Sequence, residues 1–282
     1  MNRTLNILLV PNPARDQNLT VTRSVAEDLK KLGATLRCTE PMADLPQMSP
    51  SEGAKWADVA VVFGGDGTIL RFSHAAAVHQ LPILGINCGN LGYMAELKGE
   101  DPAQLQRLFT GNYDVEERMM LTARVVRNQT EIFRADCLND AVVSYGQLPH
   151  LVSFELSERG QAYASYNADG MIFSTPTGST AYSLSAGGPI VDPVLKAILA
   201  TPVCAHSLTA RPTVFSADAQ LSLQVCAQKK GEAYLTFDGE QNYLLQTGDV
   251  IEISKSPLIT RLIRFSHAPF GTVLSAKLNY NK

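Results

Sequence analysis

Apolar residues in the first third of the chain form short continuous runs that alternate with segments of helical spacing. Leu5 to Val10 is an apolar run typical of a buried strand, and apolar positions from Val21 to Leu32 recur every three or four residues. Gly33 follows them, where a helix commonly ends. A second run, Val59 to Phe63, leads through a glycine turn into an Ala-rich helical segment, and Ile83 to Ile86 is a third strand. This rhythm predicts a parallel sheet with helices on its faces.

The pattern changes after a last helical segment at Pro102 to Phe109. Apolar and polar residues then alternate from Val152 to Leu156, Glu158 to Gly160 supplies a turn, and Ala162 to Tyr166 is typical of a returning strand. Short runs of this kind continue into the 250s. The sequence therefore predicts an N-terminal α/β domain over residues 1–114, followed by a second, β-rich domain.

The composition is that of a globular protein without a strong charge. Its 282 residues are 45% hydrophobic, and 24 Lys and Arg against 27 Asp and Glu leave a formal net charge of −3. This balance offers no basic surface for nucleic acid. The apolar runs fall far short of the roughly 20 residues that span a bilayer, so we expect neither a nucleic-acid nor a membrane partner.

Two further features bear on the cellular compartment. The N-terminal apolar run is interrupted by Asn6 and ends at Pro11, which favours a buried strand over a signal peptide. The five cysteines are widely spread and contain no C-x-x-C pair, so neither a disulfide framework nor a zinc site is predicted. We expect a cytoplasmic protein.

A glycine-rich loop follows the Val59 to Phe63 run and opens a helix; its residues are Gly64-Gly65-Asp66-Gly67-Thr68. The glycines let an anionic group approach backbone N–H groups at a helix N-terminus, which is typical of phosphate binding. Asp66 repels phosphate, which favours its use as a proton acceptor or through a magnesium ion, unless it only caps the helix. The motifs of P-loop NTPases and of ordinary dehydrogenases are absent from the sequence.

A second polar cluster extends from Ser174 to Pro189, with the sequence STPTGSTAYSLSAGGP. The pattern predicts a strand, a hydroxyl-rich turn, and a helix over Ser179 to Ser185 that ends at Gly187 to Pro189. Hydroxyls and free N–H groups at a helix start suit ribose and phosphate oxygens, and Tyr182 can offer a ring face to a base. The alternative is a loop of Ser and Thr turns and caps without a ligand.

The same cluster permits a different chemistry. Ser183-x-Ser185-x-Gly187 differs from the hydrolase nucleophile elbow only at its first position, and His206 or His267 could act as the base. The elbow, however, places its serine at a strained strand-to-helix turn, whereas Ser185 is expected inside a helix. Hydrolysis is therefore the less favoured hypothesis.

Asn139 and Asp140 follow a strand-like segment that ends at Leu138. An amide beside a carboxylate can contact an adenine edge and a ribose hydroxyl, although an isolated Asn-Asp pair also commonly forms an Asx turn. The five histidines show no spacing typical of metal ligands. We therefore assign no metal-binding residue from the sequence.

Taken together, these motifs resemble those of the NAD kinases, and of the bacterial type in particular, over nearly the whole chain. The GGDGT loop alone is shared with a wider superfamily that includes diacylglycerol-type lipid kinases and phosphofructokinases. The discriminating match is STPTGSTAYSLSAGGPI, from Ser174 to Ile190. Supporting matches are Gly85-Ile86-Asn87, Leu91-Gly92-Tyr93, Asn139-Asp140, His206-Ser207-Leu208, Arg211-Pro212, Asp238-Gly239 and Leu274 to Leu278.

The resemblance implies a kinase that phosphorylates the adenosine ribose 2′-hydroxyl of NAD with ATP and a divalent cation such as Mg²⁺, giving NADP. Asp66 would be the catalytic base that accepts the hydroxyl proton. Asn139 and Asp169 would contact adenine, and Asp140 a ribose. The complete set of implied nucleotide-binding residues is Gly64, Gly65, Gly67, Thr68, Arg71, Asn87, Tyr93, Asn139, Asp140, Asp169, Thr177, Thr180, Ala181, Tyr182, Ser185 and Asp238.

The resemblance also implies an architecture. The family fold combines an N-terminal α/β domain with a C-terminal β-sandwich, and its last segment returns to the first domain. On this chain the divisions would be residues 1–114, 115–258 and 259–282. A homotetramer or homodimer would be the expected assembly.

The chain departs from the family pattern at a few positions. Asp140 stands where the family usually has Glu, Tyr93 replaces a common Phe, Met94 varies, and Glu240 stands where Gln is frequent. These changes bear on the preference for NAD or NADH. Two other classes stay open: a catalytically silent dinucleotide sensor, against which the intact Asp66 argues, and a lipid kinase, which has no reason to carry the second motif.

Overall fold

The computed structural model describes residues 4–89, 92–99, 101–145, 152–227, 232–266 and 268–278. The chain divides into two compact units. Unit 1 comprises Met1–Glu117 and Thr260–Lys282, and unit 2 comprises Arg118–Ile259. Each unit has its own hydrophobic core.

Unit 1 begins with alternating strands and helices. In chain order they are β1 (Asn6–Pro11), α1 (Thr20–Lys31), β2 (Thr35–Cys38), α2 (Pro50–Trp56), β3 (Val59–Gly64), α3 (Asp66–Val78), β4 (Pro82–Asn87), β5 (Leu97–Lys98) and α4 (Pro102–Thr110). The strands pair in parallel in the order β4, β3, β1, β2, and β5 adds in parallel to the end of β4. The predicted parallel sheet with its intervening helices is confirmed.

The continuous apolar runs of unit 1 are explained by helices on both faces of the sheet. Ile7 and Leu9 are fully buried in a core shared with α1 and α4. Leu8 lies on the other face, where the absence of a side chain on Gly53 of α2 leaves room for it. Strands buried on both faces need no polar alternation, which is why β1 and β3 are almost wholly apolar.

Helix ends in unit 1 follow local side-chain chemistry. Buried Asp16 accepts hydrogen bonds from the backbone N–H groups of Val21 and Thr22 at the start of α1, at 3.0 and 2.9 Å. Gly33, with φ +92°, ends the same helix as predicted. Ser49 and Glu52 form a capping box on α2.

Unit 2 consists almost entirely of antiparallel strands. They are β6 (Asp114–Arg127), β7 (Thr130–Cys137), β8 (Asp140–Tyr145), β9 (Val152–Glu158), β10 (Gln161–Ala168), β11 (Gly170–Ser174), β12 (Ala197–Val203), β13 (Thr213–Ser216), β14 (Leu221–Ala227), β15 (Ala233–Phe237), β16 (Gln241–Leu245) and β17 (Val250–Arg264), with one short helix, α5 (Tyr182–Ser185). Strands β6 and β17 each continue into unit 1, where α6 (Phe270–Leu278) ends the described chain.

The strands of unit 2 form two layers. One runs in the order β13, β12, β11, β8, β15, β16, and the other contains β10, β9, β14 and the first part of β17. Side chains from both layers share one core, including Phe173 and Leu235 from the first and Phe154 and Leu223 from the second. The predicted β-sandwich is therefore confirmed.

The predicted hairpin turn is also present. Arg159 and Gly160 both have positive φ, 49° and 75°, between β9 and β10. Two such residues between antiparallel strands match the twist of a two-residue hairpin.

The helices of the described residues are too short or too polar to cross a membrane.

Candidate functional site

The glycine-rich loop of unit 1 folds around Thr68. Gly64 ends β3 with φ +151°, and a Cβ at this position would overlap the Thr68 hydroxyl. The Nδ2 of Asn12 donates a hydrogen bond to Thr68 Oγ1 at 2.9 Å. Asn12 follows β1 and was not among the predicted site residues. Because the carboxyl ends of parallel strands meet at one sheet edge, its place directly after a predicted strand was a usable signal.

Asp66 is the first residue of α3, and its side chain does not cap the helix. The N-cap is Gly65, and no side-chain capping bond is formed. The carboxylate of Asp66 instead accepts hydrogen bonds from the backbone N–H groups of Tyr93, at 2.6 Å, and Met94, at 3.0 Å. The alternative that Asp66 is only a helix cap is therefore wrong.

Close packing holds Asp66 in this orientation. A Cβ on Gly92 would overlap the Asp66 carboxylate, so only glycine lets the chain approach this closely. An ionised carboxylate offers about four acceptor sites. Since the two backbone bonds occupy two of these, Asp66 is fixed in place and can still accept a proton.

The surroundings of Asp66 leave space at the loop. Within the described part of the chain, no atom beyond the neighbouring residues and the helix's own backbone lies within 4 Å of a Cβ placed on Gly65 or Gly67. Asn87, buried at the end of β4, accepts a hydrogen bond from the N–H of Gly89 at 2.7 Å. Arg71 lies five residues after Asp66, about 140° around the helix, so it projects from a different face of α3.

A charged cluster holds the chain segment that carries Tyr93 and Met94. Arg264, at the end of β17, donates to the carbonyl oxygen of Met94 at 2.8 Å and to Glu116 at 2.8 and 3.0 Å. Glu96 accepts from the backbone N–H of Phe265 at 2.8 Å. The side chains of Arg264 and Glu96 are only 12% and 9% exposed. Sequence reasoning missed this cluster, because its members lie about 150 residues or more apart from Arg264 along the chain.

In unit 2, Asp238 organises the Asn139-Asp140 turn. Its carboxylate accepts backbone hydrogen bonds from Leu138 at 2.9 Å, Asn139 at 2.7 Å and Asp140 at 3.2 Å. The carbonyl oxygen of Asn139 lies so near Gly178 that a Cβ there would overlap it. Asp238 thus faces the protein's own backbone and sets the position of Asn139 and Asp140.

Asp140 is 5% exposed at the start of β8. Burial, followed by repulsion from Asp238, raises the pKa of the Asp140 carboxyl to about 7. Burial also raises the pKa of Asp238, although its three backbone hydrogen bonds oppose the change. A carboxyl whose pKa lies near 7 can change its charge at physiological pH.

The buried hydroxyl of Ser174 lies beside Asp140 on the neighbouring strand. Ser174 is opposite Asp140 in the β11–β8 register, so their side chains share one face of the sheet. Ser174 is fully buried, and its Oγ has no hydrogen-bond partner within the described part of the chain. Buried hydroxyls usually have a partner, so this pair of polar groups is suited to a bound polar ligand.

The hydroxyl-rich segment differs from the predicted helix over residues 179–185. It forms a 3-10 turn, Gly178–Thr180, then breaks at Ala181, where φ is −103° and ψ −128°, before α5 begins. Ser179 explains the break, because its Oγ donates to the carbonyl oxygen of Pro176 and accepts from the N–H of Val191. Such bonds between side chain and backbone compete with a regular helix.

The break at Ala181 determines which groups reach the surface. Thr180 and Ala181 are half-buried, whereas Tyr182 and Ser185 are exposed. Thr177 points inward, and its Oγ1 accepts a hydrogen bond from Arg118 at 3.2 Å. Asp169, immediately before β11, is half-buried. Of the predicted dinucleotide residues in this segment, Tyr182 and Ser185 are therefore accessible at the surface, whereas Thr177 is buried.

The hydrolase alternative lacks its geometry. Ser183 is buried and shares a hydrogen bond with Thr201 at 3.0 Å. Ser185 lies inside α5 and not at a strand-to-helix elbow. His206 is exposed, and His267 is outside the described residues. The elbow needed for a nucleophilic serine is thus not formed.

The described residues do not form a metal-binding cluster of their own. They contain no group of three or more His, Cys, Asp or Glu side chains placed to hold a metal ion. The described side chains alone therefore do not supply the ligands that a metal site built only by the protein needs.

Comparisons with known proteins agree with these features. The chain matches the ATP-NAD kinase N-terminal domain over residues 7–114 and the ATP-NAD kinase C-terminal domain over residues 138–265. It is 39% identical to the NAD kinase of Symbiobacterium thermophilum, covering 96% of this chain and 98% of that one. It is 38% identical to the NAD kinase of Heliobacterium modesticaldum, covering 97% and 98%.

Solved structures share the fold. Yeast NADH kinase complexed with NADH superposes with a TM-score of 0.85 at 22% identity, covering 99% of this chain and 89% of that chain. An NAD kinase from Archaeoglobus fulgidus in complex with ATP gives a TM-score of 0.75 at 24% identity, covering 98% and 99%. The resemblance deduced from the motifs is confirmed, and this chain belongs to the ATP-NAD kinase family of phosphotransferases.

Proposed function

We propose that this kinase transfers the γ-phosphoryl group of ATP to the adenosine ribose 2′-hydroxyl of NAD, with Asp66 as the general base. The observation that carries the proposal is the fixed Asp66 carboxylate, held by two backbone N–H groups beside an open glycine loop. A ribose hydroxyl is a poor nucleophile at neutral pH, so a positioned proton acceptor has a clear use.

Transfer of the phosphoryl group forms one P–O bond and breaks another. The 2′-oxygen forms a bond to the γ-phosphorus while the bond from that phosphorus to the β–γ bridging oxygen breaks, and ADP leaves with the bonding electrons. The hydroxyl proton passes to the Asp66 carboxylate. The N–H groups of the loop and the N-terminus of α3 face the phosphates, where their partial positive charge stabilises negative charge. Most of the catalysis is positioning and electrostatics, as is general for phosphoryl transfer.

We assign NAD recognition to unit 2. The buried Asp140 and Ser174 supply a carboxyl and an unsatisfied hydroxyl on one sheet face, suited to ribose hydroxyls. Asn139 and Asp169 supply groups for adenine, and Asp238 is a positioning residue for Asn139 and Asp140. The NAD assignment in unit 2 is completed by Thr177, Thr180, Ala181, Tyr182 and Ser185. In unit 1 the resemblance supports a separate assignment to nucleotide binding, for Gly64, Gly65, Gly67, Thr68, Arg71, Asn87 and Tyr93.

The resemblance supports three further parts of the proposal. We infer a dependence on a divalent cation, with no protein ligand assigned to it. We infer a homotetramer or homodimer and a cytoplasmic location. The division of labour follows the expected domains, with residues 1–114 and 259–282 handling phosphate and residues 115–258 handling the dinucleotide.

The test is a coupled assay. Purified protein is incubated with NAD, ATP and Mg²⁺, and NADP is detected with an NADP-specific dehydrogenase. Asp66→Asn removes the base and should lower kcat by at least about 10³-fold. Because it also puts an NH2 group in place of one of the two oxygens that accept from Tyr93 and Met94, the thermal midpoint should fall somewhat, and circular dichroism is used to verify that the variant is folded. Asp44→Asn changes an exposed carboxylate in the same unit and serves as the matched control.

The outcomes separate the alternatives. NADP formed by the unmodified protein and the Asp44 variant, but not by Asp66→Asn, supports the proposal. Retained turnover in Asp66→Asn would mean that another group accepts the proton. Absence of NADP from a folded protein that binds NAD would favour a dinucleotide sensor. Running NADH beside NAD tests the acceptor preference that the Asp140 and Tyr93 departures concern.

A further inference from the structure

The glycine loop needs positive charge that it does not contain. Residues 64–68 include a carboxylate, Asp66, and no Lys or Arg. A triphosphate bound there would place several negative charges beside the Asp66 carboxylate. Without a nearby cation, these charges and the carboxylate would repel each other strongly. Arg71 projects from another face of α3, as described above. A cation from elsewhere in unit 1 would therefore serve the reaction.

Lys277 is placed to supply this charge. It lies on α6, and its Nζ is 4.3 Å from the centroid of the Tyr93 ring, a cation–π contact. The backbone N–H of the same Tyr93 donates the 2.6 Å hydrogen bond to Asp66. One residue thus contacts the ammonium with its ring and the carboxylate with its backbone.

The electrostatics of Lys277 show that the two groups interact. Burial lowers the pKa of the Lys277 ammonium, and attraction to Asp66 acts in the opposite direction. Burial has the larger effect, so the pKa of Lys277 is lowered overall. A phosphate bound beside Asp66 would favour the charged ammonium, since an opposite charge stabilises it.

The path of the chain towards α6 is anchored to the same segment. Arg264 binds the carbonyl oxygen of Met94, and Glu96 accepts from the backbone N–H groups of Phe265 and Ser266. These contacts tie the end of β17, from which the chain continues to α6, to the segment that holds Asp66. Phe265 and Ser266 are therefore held against the same segment that carries Tyr93.

We propose that Lys277 is the protein's cation for phosphoryl transfer: its ammonium contacts the γ-phosphoryl group of ATP beside Asp66 and stabilises the charge of the transition state. This inference rests on the proposed function. Lys277 stays protonated throughout, since the hydroxyl proton goes to Asp66 and ADP leaves with the electrons of the broken P–O bond. The Tyr93 ring holds the ammonium in place before ATP binds.

The test compares three replacements of Lys277 with one control. Lys277→Met keeps the length of the side chain and removes the charge, Lys277→Arg keeps the charge, and Lys277→Ala opens space for an added amine. Thr272→Ala changes an exposed residue on the same helix and is the control. Initial rates with NAD, ATP and Mg²⁺ are measured for each, with and without n-propylamine, and folding is checked by circular dichroism and thermal unfolding.

We expect Lys277→Met to lower kcat by about 10²- to 10³-fold, as for other groups that stabilise transition-state charge, with KM for NAD within threefold of the unmodified value. Lys277→Arg should keep at least tenfold more activity than Lys277→Met. Propylamine should raise the rate of Lys277→Ala and leave that of the unmodified protein unchanged. A purely structural lysine would not respond to the amine.

Two results would overturn the inference while leaving the proposed function intact. One is a Lys277→Met variant that keeps more than a third of the unmodified kcat. The other is equal loss in the Met and Arg variants without rescue of Lys277→Ala by propylamine, which would make Lys277 a structural support of α6. An unmodified protein that forms no NADP would instead refute the proposed function, and this inference with it.

Discussion

The buried Asp140 predicts a specific coupling between pH and stability. Its pKa is about 7 in the folded chain against an ordinary value of 3.8. Between these two values the native state binds more protons than the unfolded state, so the stability of the fold decreases as pH rises through this interval. Above about pH 7 the full cost of the buried charge is present.

The magnitude follows from the shift. A difference of roughly three pKa units at about 1.36 kcal/mol each corresponds to about 4 kcal/mol, an upper bound that relaxation around the charge reduces. Asp140→Asn keeps the shape of the carboxyl and cannot ionise. We therefore expect the variant to be more stable than the unmodified protein by about 1 kcal/mol at pH 4.5, with the difference growing to at most about 4 kcal/mol at pH 8.5.

The assay is urea unfolding followed by circular dichroism at several pH values between 4.5 and 8.5. The informative quantity is the difference between variant and unmodified protein at each pH, because the titration of groups that do not interact with Asp140 cancels in it. Asp238 repels Asp140, so its titration does not cancel and is tested separately. A difference that does not change with pH would refute the reasoning, since Asp140 would then not titrate in this range. NAD turnover should fall in the same variant, because the carboxyl that we assign to a ribose hydroxyl is lost.

Asp238→Asn is the companion variant. It removes the negative charge that contributes to the raised pKa of Asp140, so the pH-dependent part of the stability should become smaller. It also weakens the three backbone hydrogen bonds to residues 138–140, so overall stability should decrease at every pH. An unchanged pH dependence would mean that burial alone raises the pKa of Asp140.

Two further variants test the positioning of Asp66. Gly92→Ala places a methyl group where the Asp66 carboxylate lies, so we expect kcat to fall by about 10²-fold or more in the coupled NADP assay. An unchanged kcat would show that the close approach of Gly92 to Asp66 is unimportant. Arg264→Ala leaves Glu96 and Glu116 without their buried partner and should destabilise unit 1 by about 3–5 kcal/mol in urea unfolding, with Arg264→Lys retaining part of the stability. A loss below 1 kcal/mol would contradict the role of this cluster.

Much of the fold was readable from hydrophobic periodicity. The apolar runs at β1, β3 and β4 and the helical spacing of α1 are found where the pattern places them, because burial on both faces of a parallel sheet leaves a strong sequence pattern. The segment after Gly178 was harder. Its hydroxyls bond to nearby backbone groups, so a 3-10 turn, a break at Ala181 and a single turn of helix replace the expected continuous helix.

Local pattern in the sequence was enough to identify the family, the two classes of domain and the residue types of both motifs, since glycines, hydroxyls and carboxylates at fixed spacing reflect local chemistry. The contacts of those residues are visible only in the tertiary structure. It showed that Asp66 is held by Tyr93 and Met94, that Asp238 faces the backbone of residues 138–140, and that Ser174 is buried opposite Asp140. It also brought Lys277 to Tyr93. Such contacts join residues far apart in the chain, and no local pattern of polarity or spacing encodes which distant segments will meet.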